Sequence, residues 1–250
     1  MTKIIMSGCC GHMGLTITDI VEKDDDAEIV AGIDLFDNGK MPYPVYKSLA
    51  EVDVEADVVI DFSSPKALEG MLSAAKAKNM PLVLCSTGYT PEQVQLINDS
   101  AKELTILRSA NMSLGINLIL KLVQAATEVL YKDYDIEIVE KHHNLKKDAP
   151  SGTALAIADA INEVLDNEYA YVYDRSDRSE QRPKKEIGIA AVRGGTIVGE
   201  HEVIYAGRDE VIEIKHTAYS KAIFGKGAVN AAKFLAGKPH GMYNMQDVIG

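Results

Sequence analysis

The first half of the chain alternates two patterns. Short runs of β-branched and other apolar residues at 3–6, 28–33, 57–62, 82–85 and 105–107 predict buried strands, and the stretches between them carry apolar residues at helical spacing. Alternation of this kind predicts parallel βαβ units. Ser64 stands as an N-cap before a helix over 65–78, and Thr90-Pro91-Glu92-Gln93 joins a capping box to a proline at the first helical position. A longer apolar pattern over 115–131, with Ile119, Leu122, Val123, Ala126 and Val129, predicts a helix long enough to bridge two domains.

Beyond that helix the pattern changes. A strand is expected over 136–140 and a helix over 151–165. From Ile187 onward, strands broken by Gly194-Gly195 and Gly207-Arg208-Asp209 predict a hairpin-linked, mainly antiparallel sheet with the 151–165 helix packed on it. The polar stretch 174–185 has little to bury and reads as a mobile surface loop. The fold class is therefore α/β, a Rossmann-like parallel-sheet domain plus an α+β domain with a mixed or antiparallel sheet. No internal repeat or low-complexity tract interrupts it.

Composition narrows the partners. A chain of 250 residues, 46% apolar and 25% charged, can bury one or two cores and is not a disordered sequence. A formal net charge of -11 argues against nucleic acid and anionic membrane surfaces unless basic residues are gathered in one place. No apolar stretch is long enough to span a bilayer, and Met1-Thr2-Lys3-Ile4-Ile5-Met6 enters a strand without a cleavable signal, so a cytoplasmic location is expected. Cys9, Cys10 and Cys85 are too few for a disulfide framework and read as free thiols of a reducing compartment.

Two segments carry chemistry. Directly after the first strand comes Gly8-Cys9-Cys10-Gly11-His12-Met13-Gly14, opening the apolar helical run Leu15, Ile17, Ile20 and Val21. Gly8 permits a tight turn, Gly11 lets backbone approach a pyrophosphate, and Gly14 allows close packing, with the helix N-terminus facing the anion. The spacing is one residue wider than the common GxGxxG form, and a merely tight connection is the alternative reading. Asp34, at the end of the second strand, is the acid expected to accept hydrogen bonds from an adenosine ribose; a bare surface carboxylate is its alternative. It would repel a 2'-phosphate, and Leu35-Phe36-Asp37 adds no cation, although Lys40 could reach back. NADH is therefore expected to serve at least as well as NADPH. The second segment, Lys141-His142-His143-Asn144-Leu145-Lys146-Lys147, concentrates positive charge in an acidic chain. Just downstream, Asp148-Ala149-Pro150-Ser151-Gly152-Thr153 opens a helix whose free N–H groups, with the Ser151 and Thr153 hydroxyls, suit a carboxylate. Together they suggest a dianion pocket, and a solvated loop with an ordinary N-cap is the bland alternative.

These residues carry a resemblance. The glycine loop, the run from Glu140 to Ala154, and Arg193-Gly194-Gly195 with Gly199-Glu200-His201 are similar to segments of the dihydrodipicolinate reductases. So, in order along the chain, are Asp61-Phe62-Ser63, Ser86-Thr87-Gly88-Tyr89 and Asn111-Met112-Ser113-Leu114-Gly115-Ile116-Asn117. The resemblance implies reduction, with NADH or NADPH, of the cyclic dicarboxylate 4-hydroxy-tetrahydrodipicolinate to tetrahydrodipicolinate on the route to diaminopimelate and lysine. It implies a dinucleotide-binding domain over 1–113 and 222–250, a substrate-binding and tetramerisation domain over 114–221, closure of one upon the other, and a homotetramer. His142 and Lys146 are implied as the catalytic pair, and His143, Lys146, Gly152 and Thr153, beside Ser151, as the groups holding the substrate carboxylates. Phe62, the loop Ser86, Thr87, Gly88 and the turn Ala110, Asn111, Met112, Ser113 are implied to border the nicotinamide, and no metal is implied. Two departures stand out: Lys221 where some relatives have arginine, giving a point charge rather than a fork, and Cys9-Cys10 in place of small or polar residues.

Other readings fit parts of the same sequence. An aspartate-semialdehyde or homoserine type of dehydrogenase is one, the former needing a nucleophilic thiol for which Cys85 is the candidate. A non-enzymatic NAD(H)-sensing regulator is another, and would not need the histidine–lysine cluster. Cys9 and Cys10, at a helix start, could have lowered thiol pKa values and act as an oxidisable block on the cofactor, against the simpler reading that they merely fit the loop. A metal site using His12 is disfavoured, because adjacent cysteines lack the usual ligand spacing.

Overall fold

A computed structural model describes residues 1–37 and 39–250. Along the chain the elements are β1 (Thr2–Ser7), α1 (His12–Val21), β2 (Ala27–Ile33), β3 (Val45–Tyr46), β4 (Val58–Asp61), α2 (Leu68–Lys78), β5 (Leu82–Leu84), α3 (Pro91–Ser100), β6 (Thr105–Arg108) and α4 (Leu114–Leu130). There follow β7 (Asp135–His142), α5 (Gly152–Val164), β8 (Ala170–Val172), β9 (Glu186–Arg193), β10 (Gly199–Ala206), β11 (Val211–Ala218), α6 (Ala222–Leu235), β12 (Gly241–Tyr243) and α7 (Met245–Ile249). They divide into two compact units, 1–114 with 222–250, and 115–221.

The first unit is a seven-stranded sheet in the order β12-β6-β5-β4-β1-β2-β3, parallel throughout. Its strands read as continuous apolar runs because both faces are covered. Ile4, Met6, Val58, Ile60 and Val83 meet α1 and α6 on one side, while Ile5, Val59, Leu82, Leu84 and Ile106 meet α2 and α3 on the other. The two predicted helix starts form as capped ends. Ser64 Oγ accepts the Lys66 N–H at 3.3 Å, in a short 3-10 turn that leads into α2. At Thr90 the N–H donates to Gln93 Oε1 at 3.1 Å and the Gln93 N–H returns to Thr90 Oγ1 at 3.3 Å. The C-terminal segment comes back to this unit: α6 packs on α1, and β12 adds an edge strand beside β6.

The second unit is a five-stranded sheet in the order β11-β10-β7-β9-β8. It corrects the expectation of a hairpin-linked, mainly antiparallel sheet, because β10 pairs antiparallel with β11 and β7, whereas β9 pairs parallel with β7 and β8. Gly207-Arg208-Asp209 does close a hairpin, the Gly207 N–H donating to Glu210 O at 2.9 Å. Gly194-Gly195 does not: it carries the chain from β9 over the end of β7 to β10, with the Gly194 N–H on His142 O and the Asn144 N–H on Gly195 O. A glycine pair between two strands marks a turn but not which strand comes next, since pairing is decided by what fills the space between.

One face of this sheet is covered by α4 and α5. Ile136, Ile138, Ile187, Ile189, Val203 and Tyr205 pack on Ile119, Val123, Ile157 and Ile161. The fully buried Tyr205 hydroxyl donates to Val123 O at 3.0 Å and meets Thr127 Oγ1 at 2.9 Å. Leu118, Leu122 and Val129 of α4 lie outside this packing and are exposed. The 174–185 stretch is irregular, as its composition suggested, but it is tied down rather than unattached. Arg175 and Arg178 donate to the Glu186 carboxylate at 2.6 Å, and Arg182 reaches Glu137, Asp135, Ile136 O and Glu186 O. Its arginines hold strand edges through charge-assisted hydrogen bonds, which hydrophobic patterning does not register.

Candidate active site

The loop between β1 and α1 is shaped by close backbone approach. Gly8 has φ +79, and a Cβ there would lie 2.7 Å from Phe62 O; one at Gly14 would stand 2.3 and 2.5 Å from the carbonyl oxygens of Gly8 and Cys9. Only hydrogen fits at either place. Most of the loop's amides are already used. Those of Gly8 and Cys9 donate to Ile33 O, that of Gly11 to Gly8 O, and that of Cys10 to Asp34 Oδ2 at 3.0 Å. Since α1 starts at His12, the N–H groups left without a backbone acceptor among the described residues are those of His12, Met13 and Gly14. A helix N-terminus with three such donors is an anion site.

Asp34 lies at the end of β2, one oxygen on the Cys10 N–H and the other accepting from the Phe36 N–H at 3.2 Å. A carboxylate has about four acceptor positions, so room for sugar hydroxyls remains. A cleft of about 510 Å³ opens here, lined by Gly8, Gly11, Asp34, Phe62, Ser63 and Ser64 among others. The cations among its lining residues are Lys47 and Lys66.

Beside it the buried Asp61 accepts the Ser63 hydroxyl at 2.6 Å and the Ser86 hydroxyl at 3.3 Å, with Thr87 and Gly88 exposed next to them. In the Ala110–Ser113 turn, Asn111 Oδ1 accepts the Ser113 N–H at 2.9 Å. Met112 is a core residue, so what this turn offers a ligand at that position is backbone. The thiols favour the simpler of the two readings, that they fit the loop. Cys9 is fully buried, and burial, reinforced by Cys10, pushes its pKa up to about 12 instead of lowering it. Burial likewise raises Cys85 well above the usual thiol value, which removes it as an acylating nucleophile.

In the second unit the strand expected over 136–140 runs on through His142, so Lys141 and His142 belong to the sheet and not to the loop. Alternation puts Ile136, Ile138, Glu140 and His142 on the buried face of β7. Register sets His201 of β10 opposite Glu140, His216 of β11 opposite His201, and Arg193 of β9 opposite His142. Glu140 has no exposed side-chain surface and is surrounded by donors. Its Oε2 meets His142 Nδ1 at 2.6 Å and Arg193 Nη1 at 2.7 Å; its Oε1 takes Arg193 Nη2 at 2.6 Å and the Ser151 N–H at 2.9 Å. Burial on its own would raise the Glu140 pKa, but the hydrogen bonds from Arg193, His142 and Ser151 outweigh it and hold the group below its ordinary value.

Ser151 caps α5 through its Oγ, which accepts the Ala154 N–H at 3.1 Å and contacts His201 Nε2 at 2.9 Å. The His201 ring stands edge-on to His142 at 5.1 Å, and burial, with the nearby His142, depresses its pKa to about 4. Gly152 is exposed at the helix start, with nothing within 4 Å of where a Cβ would stand. Lys146 lies on the same loop, closed by a Lys146 N–H bond to His143 O at 3.1 Å, and pairs with Asp148 at 2.9 Å. His143 has a buried Nδ1 with no partner among the described residues. Glu140, Arg193 and His201 stand in the sequence motifs with no role attached to them there. The signal was present in β7: a glutamate and a histidine two apart at positions where strand alternation demands core residues.

A parallel-sheet unit with a glycine loop, free helix amides and an acid at the second strand's end, joined to a mixed-sheet unit with a buried histidine–carboxylate cluster, defines a nicotinamide-dependent reductase of two units. Profiles of the dihydrodipicolinate reductase N-terminus and C-terminus match residues 2–112 and 115–249. The chain is 51% identical over 249 residues to 4-hydroxy-tetrahydrodipicolinate reductase of Caldanaerobacter subterraneus subsp. tengcongensis, covering 100% of this chain and 98% of the relative. It is 49% identical to the enzyme of that name from Clostridium novyi, with the same coverage. In fold it matches dipicolinate-bound dihydrodipicolinate reductase from Paenisporosarcina sp. TG-14, with a TM-score of 0.82, 24% identity and both chains covered in full. The chain belongs to the dihydrodipicolinate reductase family.

Proposed function

We propose that this protein reduces 4-hydroxy-tetrahydrodipicolinate to tetrahydrodipicolinate with NADH or NADPH, on the route to diaminopimelate and lysine. Bound NAD(P)H supplies the hydride. The chain's residues hold the dinucleotide, grip the substrate's two carboxylates and provide the proton that completes the reduction. The pyrophosphate sits on the amides of His12, Met13 and Gly14, in a loop where Gly8, Cys9, Cys10 and Gly11 supply the turn. The ribose hydroxyls bond to Asp34, and Phe62, the Ser86–Gly88 loop and the Ala110–Ser113 turn border the nicotinamide.

His143, Lys146, Gly152 and Thr153 hold the carboxylates, the open start of α5 adding its partial positive charge, while Ser151, expected among them, is buried with its N–H on Glu140 and its Oγ on Ala154 and His201, and so shapes the helix start instead. The Lys146 ammonium has three donors and spends one on Asp148, so it can bind substrate without leaving that partner. His142 and Lys146 form the proton-donating side. The observation that carries this reading is the buried Glu140–His142 pair beside the capped, open N-terminus of α5. Asp34 makes NADH at least as good a cofactor as NADPH, while Lys47 and Lys66 in the same cleft let a 2'-phosphate be accepted.

We assign the uncovered face of the second sheet, where Val139, Ala190, Val192 and Ile204 alternate with the buried residues, to contacts among copies in a homotetramer. Light scattering that returns the 27.2 kDa mass of a single chain would defeat that assignment. The catalytic reading is tested in a coupled assay that supplies aspartate semialdehyde, pyruvate and the preceding synthase and follows NADH absorbance. Lys146→Ala is expected to lower kcat by roughly 10²-fold or more; a near-wild-type kcat would remove Lys146 from the mechanism.

A further inference from the structure

The Glu140 carboxylate receives more hydrogen bonds than a charge pair needs, and their arrangement is informative. Arg193 reaches it with both terminal nitrogens and also donates to Asp148 O at 2.7 Å and Val192 O at 2.8 Å. The guanidinium thus fixes the carboxylate between the end of β9 and the loop that leads to α5. With the carboxylate immobilised, the hydrogen on the His142 ring is constrained. Oε2 lies 2.6 Å from Nδ1 and accepts only, so the Nδ1 hydrogen stays and Nε2 is the nitrogen left to face a ligand. The ring's far edge is also located: a Cβ added at Gly199 would stand 3.1 Å from His142 Nε2, so β10 carries a glycine where the imidazole needs space.

We infer that Glu140, clamped by Arg193, is a positioning residue for this reaction, holding one His142 hydrogen on Nδ1 so that Nε2 is the nitrogen aimed at the substrate and the one that takes up and hands on the transferred proton. The inference rests on the reductase reading for its kinetic part and on hydrogen-bond geometry for its structural part. It makes an atom-level forecast. Both carboxylate oxygens are met by Arg193 nitrogens, and Oε1 also takes the Ser151 N–H, three donors that cannot become acceptors. The amide nitrogen of Glu140→Gln is therefore driven to the His142 side, since His142 alone among these partners can answer a donor by changing tautomer. His142 would then accept at Nδ1 and carry its hydrogen on Nε2.

The experiment combines 15N-histidine NMR at pH about 9, where an ordinary imidazole is neutral, with steady-state kinetics. The His142 signal is assigned by its loss in His142→Asn. Wild-type protein should show the Nδ1–H form and Glu140→Gln the Nε2–H form, with kcat falling at least about 10-fold and KM for NADH unchanged, as expected when an orienting carboxylate is lost. Gly199→Ala, which leaves Glu140 intact but crowds Nε2, should lower kcat while keeping the Nδ1–H signature, and serves if Glu140→Gln does not fold. A wild-type Nε2–H tautomer overturns the inference. So does a folded Glu140→Gln with wild-type kcat, or a Gly199→Ala with wild-type kcat. An inactive wild-type enzyme showing the Nδ1–H form would instead overturn the reductase reading alone.

Discussion

Replacing Gly227 by alanine tests whether the C-terminal helix is an integral part of the first, parallel-sheet unit. A Cβ at this position in α6 would lie 1.6 Å from the carbonyl oxygen of Met112, where ordinary contact begins at 3.4 Å, so one of the two backbones must retreat by roughly 1.8 Å. Neither is free to do so. The 110–113 turn is pinned by the Ser113 N–H on Asn111 Oδ1, by the Ser109 hydroxyl on Asn111 O, and by the Met112 side chain in the core. On its other side α6 is already tight against α1, a Cβ at Gly225 meeting Ile20 at 3.0 Å and Ile17 at 3.2 Å. Overpacking a core costs about 1–3 kcal/mol, and a clash between two backbones belongs at the top of that range or beyond. At about 3 kcal/mol the unfolding equilibrium moves by roughly 10²-fold, and for a chain of this size the melting temperature falls by roughly 6–12 °C. Differential scanning calorimetry against Gly70→Ala provides the comparison. Gly70 lies in α2 with nothing within 4 Å of its Cβ position, so alanine there should be neutral or stabilising by up to about 1 kcal/mol. A Gly227→Ala protein melting within about 2 °C of wild type would refute the packing argument.

Two further outcomes follow from groups that sequence reading did not single out. Lys47→Ala with Lys66→Ala should reduce kcat/KM for NADPH by roughly 10-fold or more while leaving that for NADH within about twofold, as expected for losing cations beside a 2'-phosphate; equal losses with both cofactors would show that the lysines do not discriminate. His201 supplies an acid-sensitive term. Its folded-state pKa of about 4 lies below the ordinary 6.5, so the unfolded chain binds the proton more readily, and stability falls as pH drops from about 6.5 towards 4. Around it stand His142, Glu140, His216 and Lys146, and the drop is worth roughly 3 kcal/mol. Urea unfolding at pH 7 and at pH 4.5 should show a smaller loss in His201→Gln than in wild type, and identical losses would place the acid sensitivity elsewhere.

Much of the candidate site's local geometry was legible because its signals are local. A glycine at positive φ, a helix that begins directly after a strand, and an acid at the next strand's end are properties of neighbouring residues, and the Gly8–Gly14 loop and Asp34 could be read from them. The run from Glu140 to Thr153 was legible for the same reason. Its strand end, turn and Ser151 cap are contiguous, although the strand's extension through His142 was missed because Lys141 and His142 look like loop residues. Burial of Cys9 was not legible, since a thiol at a helix start reads as exposed until the core beneath it is known. Lys47 and Lys66 were missed because nothing near Asp34 in sequence points to them.

The order of elements, their caps and the two chemical segments are written in the chain itself, since periodicity, capping and turn chemistry act over a few residues. What only the tertiary structure decided is which strands lie side by side. Placing β7 between β9 and β10 turned a presumed hairpin into a crossing, and the same placement brings Arg193, His142, Glu140 and His201 onto one buried face. Pairing between distant segments depends on which packing buries the most apolar surface while satisfying every buried charge. That is a property of the whole molecule, and no single stretch of sequence records it.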